Sequence, residues 1–358
     1  MRRALLTVTV AVSLSSLSWL SRGTIVHAAD DLVLTRFGEY LDSLRTQAGI
    51  PGLAATIVGP AVVQWERSFG QQNIERSLST LPDTPFHLDA VTQLFTASRI
   101  LRCVEEGRLS LEDRIGTYAA SAPEPNATLR QLLTHTSGTP DNLVFSYRPA
   151  RLDALASAVS ACTGDSYRSS LGAMLEQGIM FDSVPGPDVL QLVPPSNPFP
   201  PSTIDRYRGV LGRLATPYSV DSQGRASQSR YAATTLTASS GVVSTARDLA
   251  KFDLALKRGG LLRSDTIAGA WTAPVGRLGQ ALPHGLGWFV QSYAGETVVW
   301  QFGIGDNGSS SMVITLPRRG LTLIMLANSD GLVKRFPLAA GDLTVSPFGR
   351  LFLGVFVR

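Results

Sequence analysis

"LGWFVQSYAGETVVWQFGIGDNGSSSMVITLPRRGLTLIMLAN" runs from Leu286 to Asn328. It holds four consecutive strand-like runs, 286–293, 296–302, 310–317 and 321–328. They are rich in Val, Ile, Trp, Phe and Thr, side chains that pack well on a pleated surface. Their connections are short, so the four predict an antiparallel meander. Nearer the start, "LAATIVG" (53–59) and "AVVQWERSFG" (61–70) read as two more strands around Gly59-Pro60. Helical spacing over 31–48 precedes them and is interrupted by Gly49-Ile50-Pro51-Gly52.

The middle of the chain follows a different period. Residues 91–106 place Val91, Leu94, Phe95, Leu101 and Val104 on one side of a helix, which Gly107 stops. Residues 128–135, 151–164 and 245–260 also read as helices, the last started by Ser244 or Thr245. The stretch 182–240, rich in Pro, Ser and Gly, predicts long loops. This order implies an α+β fold. One antiparallel sheet draws on about 31–70 and 284–330. A helical lobe of about 75–270 is inserted beside it. The closing segment 331–358 is expected to pack on the sheet as a helix.

The chain has 358 residues, 44% hydrophobic and 17% charged, which suits one large globular unit. Met1-Arg2-Arg3, the apolar run 4–20 and the small residues of Val26-His27-Ala28 read as a bacterial export signal cleaved after Ala28. The apolar run is short and broken by Ser and Thr, unlike a membrane-spanning helix. A periplasmic or secreted protein without a stable membrane anchor is therefore expected, its domain covering 30–330. The formal net charge is +4, but Arg2, Arg3 and Arg22 leave with the signal. The remainder is nearly neutral and has no basic tract, which argues against nucleic-acid binding. Cys103 and Cys162 both fall in helix-like segments. Oxidising surroundings favour a disulfide, while two buried apolar thiols are the alternative. The sequence leaves both open.

Gly303-Ile304-Gly305-Asp306-Asn307-Gly308 fits the dinucleotide pattern G-x-G-x-x-G. That site needs a following helix to hold the pyrophosphate. A strand-like run follows instead, so a hairpin is expected. His27, His87, His135 and His284 are far apart and lack metal-ligand spacing. No metal or cofactor is expected. The nucleophile-elbow pattern G-x-S-x-G is absent.

Five stretches carry more. "EEGRLSLEDRIGTY" (105–118), "LRQLLTHTSGTPD" (129–141), "GVVSTARDLAKF" (241–252), "HGLGWFV" (284–290) and "MLANSD" (325–330) occur in that order. Together, over about 32–330, they resemble the serine β-lactamase and penicillin-binding-protein superfamily, especially its class C-like branch with esterases and peptidases. The resemblance implies three catalytic clusters. Ser-x-x-Lys begins the central helix, Tyr-x-Asn lies on a loop, and Lys-Thr-Gly or His-x-Gly lies on an edge strand. Positions i and i+3 share a helix face, so the lysine amine can take the serine proton. The helix N-terminus and a strand N–H stabilise the oxyanion.

In this chain the first cluster falls on Ala90 and Gln93, which offer neither nucleophile nor base. The only lysines are Lys251, Lys257 and Lys334, and none has a serine three residues before it. The second cluster falls on Tyr147-Arg148-Pro149, keeping the tyrosine but not the asparagine. The third falls on Gln301-Phe302-Gly303, where only the glycine survives; a shift of one residue puts Phe302 at the cationic position. Thr92 lies about 200° round the helix from Ala90 and faces away. Asp89 reads as the helix cap, its carboxylate opposing the positive helix end. The backbone N–H groups of Ala90 and of a strand residue near Ile304 remain able to hold a carbonyl or carboxylate. The expectation is a catalytically degenerate member that binds a peptidoglycan peptide, a β-lactam, an ester or a protein partner without covalent chemistry. An active hydrolase with an unusual nucleophile and a structural protein with a collapsed cleft stand as alternatives.

Overall fold

The computed structural model describes residues 20–139, 142–192, 197–232 and 234–357. The expected export signal falls largely on 1–19, outside the described residues. No helix among the described residues is long and apolar enough to cross a membrane.

Helix α1 (Leu20–Gln47) leads into strands β1 (Gly52–Val58), β2 (Val63–Asn73) and β3 (Leu78–Ser79). The chain then enters the lobe. There β4 (Phe86–His87) precedes the long helix α2 (Thr92–Glu105), and α3 (Leu129–Leu133) precedes β5 (Thr136–Ser137) and β6 (Val144–Phe145). Helices α4 (Leu155–Thr163), α5 (Tyr167–Gln177) and α6 (Pro201–Gly212) follow. Strands β7 (Tyr218–Val220), β8 (Ala226–Gln228) and β9 (Val243–Ser244) come next, then α7 (Ala246–Lys257) and α8 (Ser264–Ala270). Strands β10 (Phe289–Tyr293), β11 (Glu296–Gly305), β12 (Ser309–Leu316) and β13 (Leu321–Ala327) form the meander, and α9 (Pro347–Phe356) closes the chain.

Seven strands make one sheet in the order β10-β11-β12-β13-β1-β2-β3. Strand β1 joins its two halves. It runs antiparallel to β13, from Leu53 opposite Ala327 to Val58 opposite Thr322, and antiparallel to β2 on its other side. All seven of its residues are buried. The two-residue period of a strand divides them between two cores. Leu53, Ala55 and Ile57 meet Phe37 and Leu41 of α1 and Phe348 and Phe352 of α9. Ala54 and Val58 belong to the core shared with Val91 just before α2, Leu94 and Phe95 on its first turn and Phe252 of α7. A continuous apolar run is what a strand covered on both faces requires.

The glycine-rich pattern at 303–308 is a hairpin. Gly303 and Gly305 are strand residues of β11, Asn307 takes a left-handed φ of 59°, and β12 begins at Ser309. The stretch 182–240 is more ordered than the loop expectation. It contains α6 and the β7–β8 hairpin. Pro201 occupies the first turn of α6, where its missing N–H has no partner to lose. Tyr207 and Val210 on that helix bury against Val184, Val189 and Val243. Helices α5 and α8 are likewise additions to the sequence reading.

Cys103 on α2 and Cys162 on α4 form a disulfide with Cα atoms 6.2 Å apart, across 59 positions of sequence. This decides the alternative that the sequence left open. Closing a loop of that length in the unfolded chain stabilises the fold by about 2–5 kcal/mol. The double variant Cys103→Ser/Cys162→Ser should lose that amount in urea unfolding. Reductant should lower the wild type by a similar margin and leave the variant unchanged. A reductant-insensitive wild type would contradict the cross-link.

Candidate functional site

The site forms where the lobe meets β11. Strand β4 pairs with β9, and Leu88 N donates to Val242 O at 2.9 Å. The chain then makes a 3₁₀ turn, Asp89–Val91, that leads directly into α2. Asp89 takes a left-handed φ of 48°, uncommon for a residue with a side chain. The turn lies against the backbone of β11. A Cβ placed on Gly303 would come 2.3 Å from Leu88 O and 2.9 Å from Ala90 N. That close approach explains why glycine stands at 303. Ser311 Oγ adds a hydrogen bond to Leu88 O at 2.7 Å.

Asp89 is not the helix cap. No side-chain capping bond occurs at this turn. Its left-handed backbone turns the carboxylate toward the hairpin, where it accepts from Ser309 Oγ at 2.7 Å. Burial raises its pKa to about 6, a rise that the Ser309 hydroxyl opposes and Asp306 reinforces.

Three of the side chains at the positions of the implied catalytic clusters, Gln93, Tyr147 and Gln301, converge, and a histidine joins them. His135 Nε2 and Gln93 Oε1 are 3.0 Å apart. Gln93 Nε2 donates to Tyr147 Oη at 3.3 Å, Tyr147 Oη donates to Gln301 Oε1 at 3.3 Å, and Gln301 Nε2 donates to Gly287 O at 3.3 Å. At the other end, Arg148 N donates to His135 Nδ1 at 3.3 Å. An accepting Nδ1 places the proton of a neutral imidazole on Nε2. The chain therefore has one direction, from His135 through Gln93, Tyr147 and Gln301 to a backbone carbonyl. Gln301 Oε1 also accepts from Phe302 N at 2.9 Å.

Every member is neutral. Burial, with His284, Arg151 and Arg148 nearby, holds the His135 pKa well below its ordinary value. Burial raises the Tyr147 pKa against the opposing Gln93 hydrogen bond. Aromatic rings pack around the phenol. His135 is 4.6 Å from the Tyr147 ring, Phe289 4.9 Å and Phe302 5.3 Å. His284, 4.7 Å from His135, donates from Nδ1 to Gly285 O at 2.8 Å, and burial lowers its pKa to about 4. Sequence reasoning set these two histidines aside because they are far apart in the chain. Their shared signal was position, since each lies in one of the five family-like stretches. Among the described residues no cluster of three or more metal-ligating side chains occurs.

The remaining expected positions are less central. Ala90 is 8% exposed, and Gln93 and Gln301 are fully buried. Pro149 opens a 3₁₀ turn, Pro149–Ala154, and makes no hydrogen bond in the chain described above. Phe302 packs beside Tyr147, so Gln301 is the residue in the polar chain. Ile304 is a partly exposed residue of β11 opposite Ser310. The nearby hydroxyls are all engaged. Thr92 Oγ1 accepts from Val242 N, Ser98 Oγ donates to Leu94 O, and Ser310 Oγ donates to Ser329 O. The hydrogen-bonded chain itself consists of amides, a phenol and a neutral imidazole, with the Arg148 and Arg151 guanidinium groups nearby but outside it.

Asp89 gives a pH test. Its folded pKa, about 6, lies above the ordinary 3.8. The protonated form fits the buried site, so its stabilising contribution is complete below about pH 4 and is lost as pH rises through 6. The difference is worth about 3 kcal/mol. Relative to wild type, Asp89→Asn should gain stability between about pH 4 and pH 7. Comparing the two proteins cancels the histidine titrations. A pH-independent difference in chemical unfolding would contradict the buried, raised carboxyl.

Comparisons with known proteins agree with this architecture. A family model described as Beta-lactamase matches residues 37–175 and 189–343. Protein flp of Staphylococcus aureus (strain NCTC 8325 / PS 47) is 29% identical over 100 residues, 26% of this chain and 20% of that protein. Penicillin-binding protein 4* of Bacillus subtilis (strain 168) is 32% identical over 79 residues, 22% of this chain and 18% of that protein. The matches thus span about a fifth of these relatives' lengths. The octameric penicillin-binding protein homologue from Pyrococcus abyssi superposes with a TM-score of 0.70 at 20% identity, covering 89% of this chain and 77% of its own. The class C beta lactamase from Rhodobacter sphaeroides gives 0.65 at 16% identity, covering 91% and 99%. At such identities the structural likeness speaks to the fold alone. The family model spans most of the chain, and this protein belongs to the β-lactamase family.

Proposed function

We propose that this chain is a non-acylating member of the family, exported from a bacterial cell, which recognises a ligand instead of turning it over. The observation that carries the reading is the one-directional chain from His135 to Gly287. It occupies the polar atoms where acyl transfer would need a nucleophile, a base and a cation. Tyr147 cannot serve as a base near neutral pH with its pKa raised and its hydroxyl proton given to Gln301. Loss of a nucleophile from a site that works as a unit costs on the order of a million-fold in rate.

Recognition falls to the backbone. No described strand pairs with Gln301–Gly305 on the side of β11 that faces β10, because that pairing ends at Trp300. An extended peptide-like ligand fits such an edge by main-chain hydrogen bonds. A peptidoglycan peptide, a β-lactam or an ester are the classes the family suggests. The burial of Ala90, Gln93 and Gln301 favours a second reading, a collapsed cleft with a purely structural joint.

A hydrolase with an unusual nucleophile has one candidate, Ser309, whose hydroxyl faces the Asp89 carboxylate. Both residues are buried, Ser309 to 1% exposure and Asp89 to 3%. Chromogenic cephalosporin, nitrophenyl esters and fluorescent penicillin separate the readings. No turnover and no covalent label are expected from the purified protein. Label or turnover abolished in Ser309→Ala would overturn the proposal. A saturable thermal shift with a D-alanyl peptide supports recognition at the β11 edge, whereas its absence leaves the collapsed joint.

A further inference from the structure

A cavity of about 360 Å³ opens between α2, the end of α4, α5 and the turn after α7. It is independent of the site at Tyr147. Arg99, Arg102 and Arg108 line it together with Glu106 and Asp165, so its wall holds one more cation than anions. The carboxylates are unevenly shared. Glu106 takes Arg102 Nε at 2.8 Å and Arg108 Nε at 3.4 Å. Arg102 also reaches Glu105 at 3.5 Å, and that carboxylate accepts Arg263 N as well. Arg108 Nη1 donates to Cys162 O at 3.2 Å, which covers a terminal carbonyl of α4.

Arg99 receives nothing. Among the described residues no hydrogen bond and no ion pair reaches its guanidinium, and its Nε is buried without an acceptor. Burial lowers its pKa, opposed by Glu106 and reinforced by the like charges of Arg102 and Arg108. A buried donor on a cation without an acceptor is costly. The Nε is closed off from the cavity, and the two Nη nitrogens, also without an acceptor among the described residues, form the edge that an oxyanion from outside the chain can meet.

We propose that this cavity binds a small polyvalent oxyanion, with Arg99 as its main ligand and Arg102 and Arg108 supplying the surrounding positive field. The guanidinium fork suits a phosphate or carboxylate group bidentately. The cavity has room beyond one such group, so an organic phosphate or a polycarboxylate falls within the class.

Isothermal titration and thermal unfolding with inorganic phosphate and with citrate, at matched ionic strength, test this. Saturable binding and stabilisation are expected with at least one of them, and their order assigns phosphate or carboxylate. Arg99→Met should weaken that binding by at least about tenfold while raising the melting temperature of the ligand-free protein, since it removes the unmet charge. Arg99→Lys keeps the charge without the fork and should bind at an intermediate level, should the methionine variant fold poorly. Arg225→Met, at an exposed pair with Asp221, should behave as wild type. The proposal is overturned if neither anion binds saturably below about 10 mM. It is equally overturned if both Arg99 variants bind as wild type does.

Discussion

The lobe and the sheet are held in register by a hydrogen-bond chain that spends each donor once. It begins on the lobe, at the backbone of Arg148 and the ring of His135, crosses through Gln93 and Tyr147, and ends on the sheet side at Gln301 and Gly287. A neutral hydrogen bond contributes about 1 kcal/mol net, but an abandoned buried partner costs about 1–3 kcal/mol. The network therefore constrains composition more than it adds stability. A lysine at 93 or 301 would meet a phenol, amides and neutral imidazoles, with no carboxylate in the chain to balance it. Burial without an anion would push such an amine toward its neutral form. Glutamine at both positions solves the same geometry without charge, because an amide donates and accepts at once.

That joint depends on the closeness of two backbones. The 3₁₀ turn at Asp89–Val91 lies so near β11 that a side chain at Gly303 has no room, and a Cβ at Gly305 would lie 2.7 Å from the Asp89 carboxylate. Ser309 and Ser311 fasten the turn from the next strand. Behind it, β1 divides its side chains between two cores, so that α1 and α9 on one face and the lobe on the other are fixed to the same strand. The disulfide from α2 to α4 then anchors α2 within its own lobe.

Much of this was legible in the residues. Strand-favouring composition and short connections marked the four strands from 286 to 328, and the helical period of Val91, Leu94 and Leu101 marked α2. The meeting of Gln93, Tyr147 and Gln301 followed from family-like order, which encodes topology. Other features were hidden for physical reasons. Helix α6 begins with prolines that equally signal loops, and its burial of Tyr207 depends on partners such as Val184 and Val243 elsewhere in the chain. Asp89 has the composition of a cap, but its left-handed φ sends the carboxylate to Ser309. The pairing of His135 with His284 is a tertiary contact with no local pattern. The lack of an acceptor at Arg99 is a shortage among neighbours, which no sequence window displays.

The hydrogen-bonded centre is neutral and polarised in one direction. Nitrogen-15 NMR of the His135 imidazole tests it most directly. The ring should be neutral and protonated at Nε2 throughout the range in which an ordinary imidazole titrates, because burial and the nearby cations hold its pKa well below the usual value. A ring that titrates near its ordinary value of about 6.5, or that carries its proton on Nδ1, would contradict it.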